Sequence, residues 1–151
     1  MKDIASEFQM VGFTVQSFEL YNTIQYPDEY KVTLGYIAEI RHGLRDGDDK
    51  TRFAALSLSF KVFEGDDMDV CIDDEKLFAS IQCLAFFTCP VKTISSDAFI
   101  KTIKKSGAAT AIPIVRARFS SACALMDMPE SIKIPNIDMD KMEWHIEEIK
   151  A

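Results

Sequence analysis

From Tyr30 to Ile40 every even position is apolar (Tyr30, Val32, Leu34, Tyr36, Ala38 and Ile40), and Lys31, Thr33, Glu39 and Arg41 punctuate the other phase. A two-residue period sends successive side chains to opposite faces, so this stretch predicts a half-buried strand. Ala54, Leu56, Leu58, Phe60 and Val62 repeat the pattern against Ser57, Ser59 and Lys61. The polar DGDD segment between the two runs predicts a hairpin or a longer turn, with the strands as antiparallel neighbours. Upstream, Phe13 and Val15 keep one phase while Phe18 and Leu20 take the other, so a strand there needs a bulge or a break near Ser17.

The second half of the chain changes period. Leu77 to Cys89, LFASIQCLAFFTC, is almost continuously apolar, which periodicity leaves open between strand and helix; Pro90 ends it either way. Its aromatics and length favour a strand buried on both faces. Ser96 to Lys105 predicts a short helix, with a serine to cap its start and Gly107 to close its end. Between Ile112 and Met142, Pro113 fits the first turn of a helix that ends near Met126. Pro129 and Pro135 then impose a non-helical arm. Val115, Phe119, Ala122, Cys123 and Met126 recur at helical spacing and give that helix an apolar face. Asp138 to Lys150 reads as a last helix, with Met139, Met142, Ile146 and Ile149 on one stripe and Trp144 off it. Strands first and helices after predict an α+β domain, an antiparallel sheet with helices packed on one face. A chain of 151 residues, 48% hydrophobic, fits one domain over 1–151 whose core needs neither disulfide nor metal.

Charge and chemistry narrow the function. Lys and Arg total 17 against 24 Asp and Glu, a net charge of −7, which argues against nucleic acid as a partner. Cys71, Cys83, Cys89 and Cys123 form no C-x-x-C pair, and most sit in apolar runs, as reduced thiols do. The first residues lack the apolar run of a signal peptide, and no segment has the length to span a bilayer, so a cytoplasmic protein is expected. His42 and His145 have no partner ligands at useful spacing and read as solvated surface residues. No nucleophile elbow, dinucleotide fingerprint or phosphate loop occurs, so neither enzymatic activity nor a cofactor is expected. The acidic stretch Glu64 to Glu75 lacks the glycine and closing glutamate of a calcium loop and reads as a solvated loop.

The order of Pro113, Arg116, Pro129 and Pro135 resembles the C-terminal half of the bacterial export chaperone SecB and its relatives. The resemblance implies a four-stranded antiparallel sheet followed by a long and a short helix, and tips Leu77 to Cys89 towards a strand. It also implies an ATP-independent holdase that binds exposed apolar segments of non-native polypeptides. Export with SecA as partner and control of an antitoxin are both roles of that family. A non-enzymatic adaptor of the same fold, recognising one specific partner, is the alternative. The family's long crossover after its first strand has only Asn22 to Glu29 to correspond to it. Either the loop is absent, or Phe13 to Leu20 follows a truncated first strand. The two apolar faces of Leu77 to Cys89 predict a homo-oligomer, dimer or tetramer. Candidate client contacts are Phe13, Val15, Val32, Leu34 and Tyr36 on strands, with Met139, Met142 and Trp144 on the last helix. Methionine suits a surface that accepts many partners, and a tryptophan off the core stripe suits an exposed contact.

Overall fold

The computed structural model describes residues 7–21, 32–45, 47–65, 77–128 and 132–149. The alternating runs become β1 (Gln9–Leu20), β2 (Val32–Leu44), β3 (Thr51–Glu64) and β4 (Leu77–Pro90). They form an antiparallel sheet in the order β1-β4-β3-β2, and a short fifth strand, β5 (Trp144–Glu148), joins parallel to β2. Ala38 stands opposite Leu58 and Ile40 opposite Leu56, so the apolar phases of β2 and β3 share one face. In the turn between them the Asp48 carboxylate accepts from the Lys50 N–H and the Thr51 hydroxyl, each at 2.8 Å. These bonds hold its pKa below the ordinary carboxylate value. The bulge expected near Ser17 is present: the β1–β4 register shifts between Val15 and Ser17, which returns Phe18 to the face that carries Val15.

That face carries the core. Leu56, Phe60, Ile81 and Phe87 are buried beneath a helix whose Phe99, Ile103, Val115 and Phe119 are buried with them. The helix starts where the serine pair predicted, with the Ser95 hydroxyl accepting the Ala98 N–H at 3.2 Å. It does not end at Gly107. α1 (Ser96–Thr102) runs through a π turn, Ile103–Gly107, into α2 (Ala108–Leu125), and Gly107 keeps helical angles, φ −64° and ψ −48°. A Cβ there would sit 3.2 Å from the Phe87 ring, so the glycine lets helix and sheet approach rather than closing a terminus. Pro113 consequently lies inside the helix, on its exposed side, and Arg116 is helical too. The helix closes at Met126, with Asp127 left-handed at φ 55° and the Met128 N–H bonded to the Cys123 carbonyl at 3.0 Å.

Four expectations give way to tertiary context. The last helix does not form: a single 3-10 turn, Met139–Lys141, leads into β5. Trp144 and Ile146 alternate, a signal that competes with the helical stripe of Met139, Met142, Ile146 and Ile149, and β2 supplies backbone partners that a short, isolated helix lacks. His42 is not a surface residue; it is 7% exposed, on the core face beside Ala54 and level with Glu148. β4 is buried on one face only, since Gln82 is exposed and Leu84 and Phe86 are half-buried on the other. Finally, β1 and β2 are separated by β4 and β3, so the connection from Leu20 to Val32 does cross the sheet, over about 14 Å of strand spacing. The residues of that connection, Asn22 to Glu29, lie outside the described residues, as do Cys71, Pro129 and most of the acidic stretch.

Candidate client-binding surface

The eight candidate contacts fall into two groups. Phe13 and Val15 lie on β1, with Phe13 half-buried and Val15 38% exposed. Val32, Leu34 and Tyr36 lie three strands away on β2, all half-buried and packed against the core. Their phase is that of Ala38 and Ile40, so they share the helix-bearing face. Met139, Met142 and Trp144 join this second group, not from a helix but from the arm that returns along the β2 edge. Met139 and Trp144 are half-buried, whereas Met142 is buried, at 8% exposure, and serves as an anchor.

The arm is held from both sides. Ile132 and Ile134 are buried in the core, and the Arg116 guanidinium donates through Nη2 to the Pro135 carbonyl at 3.2 Å. Arg116 Nε is buried without a partner among the described residues. The Glu143 N–H then donates to the Tyr36 hydroxyl at 2.9 Å, which pins the arm to β2 immediately before β5. Only residues 38–42 of β2 pair with β5, and no described strand pairs with the same edge over residues 32–37. Among the described residues, the row of apolar side chains therefore ends at a stretch of edge that no strand extends and that the arm meets at Tyr36.

The opposite face of the sheet has no helix on it among the described residues. Arg41 stands between Glu39 and Glu147 there, with Nε 3.5 Å and 3.2 Å from their carboxylates. At one end Val11, Leu44, Phe53 and Ile149 line a hollow of about 510 Å³, beside a Phe53–Phe86 stack with centroids 5.8 Å apart. Cys83, Cys89 and Cys123 are buried thiols, and burial pushes Cys83 and Cys123 up to about 11. No group of three or more His, Cys, Asp and Glu among the described residues could hold a metal ion. None of the described helices is long and apolar enough to cross a membrane.

Sequence reasoning missed the edge itself. The alternation of Trp144 and Ile146 was the available signal, and the competing helical stripe concealed it. Gly43 was missed as well. A Cβ on it would meet the Ile149 carbonyl oxygen at 2.7 Å, so this glycine makes room for the returning chain.

No family model matches the sequence, and no curated protein matches it. Among the solved structures that share the architecture is the Mycobacterium tuberculosis Rv1957 SecB-like chaperone, in complex with a ChAD peptide from the Rv1956 HigA1 antitoxin. The likeness covers 89% of this chain and 90% of that one, with a TM-score of 0.55 and 8% sequence identity. Through a four-stranded antiparallel sheet carrying one long helix, with a fifth strand added, the chain has the SecB-like fold.

Proposed function

We propose that this chain is an ATP-independent holdase that binds exposed apolar segments of non-native polypeptides. The observation that carries the reading is the half-buried row Val32, Leu34 and Tyr36, bordered by Met139 and Trp144, along an unpaired strand edge. Such a row accepts apolar side chains while the edge accepts a backbone, a combination that selects unfolded chain over folded surface. The SecB-like neighbour binds an antitoxin peptide, which supports a polypeptide partner here and keeps antitoxin control among the roles. Phe13 and Val15 form a separate patch. The reading includes one domain over 1–151, a cytoplasmic location, no cofactor, and a homo-oligomer, dimer or tetramer, that covers the remaining apolar surface.

The test is suppression of aggregation of a chemically denatured, unrelated enzyme without ATP, near one-to-one stoichiometry and in moderate salt. Leu34→Asp should weaken the bound complex by about 1–3 kcal/mol. No suppression at several-fold excess would overturn the holdase reading. It would favour the second one, an adaptor for one folded partner. The apolar hollow between Val11, Phe53 and Ile149 supports that alternative. Sedimentation equilibrium showing a monomer at micromolar concentration would remove the oligomer from the proposal.

A further inference from the structure

We propose that β5 is a built-in stand-in for the client. It lies on the β2 edge where an extended segment of a non-native polypeptide adds as a strand, and the client displaces it by exchange. The proposal rests on the holdase reading and adds the mode of recognition. β5 shows what this edge accepts: a parallel segment with Trp144 and Ile146 level with Ala38 and Ile40 on the helix side, and polar His145 and Glu147 facing away. Among the described residues, the same β2 phase continues through Tyr36, Leu34 and Val32 with no strand on that edge. A client with stronger strand formers at the positions of Trp144 and Ile146, continuing past His42 to the end of β2 at Leu44, would gain ladder bonds and apolar contacts that β5 does not make.

β5 is held in a way that permits exchange. Four of its five residues are exposed, with Ile146 at 44%, and its pairing is parallel, the less stable geometry per residue. Its Arg41–Glu147 ion pair joins side chains that are more than half exposed, so the pair contributes little. The buried anchors of the arm lie before it: Ile132, Ile134 and Met142 are buried, and the Glu143 N–H is bound to Tyr36, while beyond it a single backbone bond, from the Ile149 N–H to the His42 carbonyl at 2.7 Å, ties the end of the strand. Residues 144–149 can therefore swing about Glu143 while the arm stays seated on the core. As a tethered competitor, β5 raises the apparent Kd of any client by the factor with which it occupies the edge. Short or weakly pairing segments are thereby rejected, and long apolar segments are admitted.

The experiment uses the full chain in two variants. Glu39→Cys with His145→Cys links register partners on the open face and locks β5 when oxidised. Ile146→Pro removes an N–H and loosens the strand. The probe is a twelve-residue labelled peptide with Ile or Val at alternate positions and Thr or Lys between, beside a copy N-methylated at alternate residues. Wild-type chain should bind the first peptide and not the second, and Trp144 emission should move to the red as the tryptophan leaves the sheet. Oxidised lock should weaken binding by about tenfold or more, reduction should restore it, and Ile146→Pro should tighten it by a similar factor. A locked chain that binds as well as wild type, or equal binding of the methylated copy, would overturn strand exchange while leaving the holdase reading intact. A chain that suppresses no aggregation and binds neither peptide would overturn both. Dimerisation of Ile146→Pro without tighter peptide binding would overturn the client as occupant and assign the edge to a second copy.

Discussion

The centre of the sheet and its β2–β5 edge use the same two-residue alternation for opposite ends. In the centre, β3 and β4 each have neighbours on both sides and a helix above, so Phe60, Leu58, Ile81 and Phe87 retain at most 1% of their surface. Both edges of these strands are taken by ladder partners, and the apolar side chains on the helix-bearing face are covered. At the edge the alternation continues through Tyr36, Trp144 and Ile146, but cover is partial and one side of the ladder is short. The difference teaches that burial, not sequence pattern, separates a fully covered strand from a partly covered one in this sheet. A strand with two neighbours holds the domain together, whereas a strand with half a neighbour is free to choose another.

The widest gap between the two regions is expected on truncating their apolar side chains. Phe60→Ala should cost about 3–5 kcal/mol in denaturant unfolding, because it opens a cavity where nothing can collapse. Ile146→Ala, at a side chain already 44% exposed, should cost less than about 1 kcal/mol. Equal losses would dissolve the distinction. Next comes Gly43→Val, which forces the Ile149 carbonyl away from β2 and should cost about 1–2 kcal/mol. Its signature is faster amide exchange at Ile146 and Ile149 with β3 and β4 unchanged; slower protection throughout the sheet would show the edge and centre to be one cooperative unit.

Smaller effects sharpen the same contrast. Tyr36→Phe removes the hydroxyl that accepts from the Glu143 N–H and should cost about 0.5–1.5 kcal/mol, with exchange at Glu143 as the local readout. The last contrast belongs to the centre and is absent at neutral pH, appearing only at alkaline pH. Burial raises Cys83 and Cys123 from 9.0 to about 11, so between those values the unfolded thiols ionise while the folded ones keep their protons. The stability they contribute is therefore full below pH 9 and falls as pH rises towards 11. Alkylation at pH 8 should be slow at both in the native chain and fast after unfolding. Rapid native labelling at either would show that the centre opens as readily as the edge.

The chain's own pattern determined β1, β2 and β3, the bulge near Ser17, the pairing of β2 with β3, a serine cap and the end of the helix near Met126, while β4 rested on its aromatics, its length and the family resemblance. Each depends on near neighbours: alternation, a phase slip, a cap, a run of helical spacing. The α+β layout and the SecB-like fold were legible for the same reason. Of the candidate surface, Val32, Leu34 and Tyr36 could be picked out because their phase was unambiguous. What only the tertiary structure decided lay where two local readings were nearly equal. Trp144 to Glu148 satisfies a helical stripe and an alternating strand alike, and the unpaired edge of β2 settled it as a strand. Gly107 suits a helix end or a close approach, and the Phe87 ring beneath it decided for approach. His42 fell inside because the strand's apolar phase runs on through it to the last turn of the ladder. Local chemistry fixes a segment when one conformation clearly wins; where two differ by less than a few backbone hydrogen bonds, the partner across the sheet makes the choice.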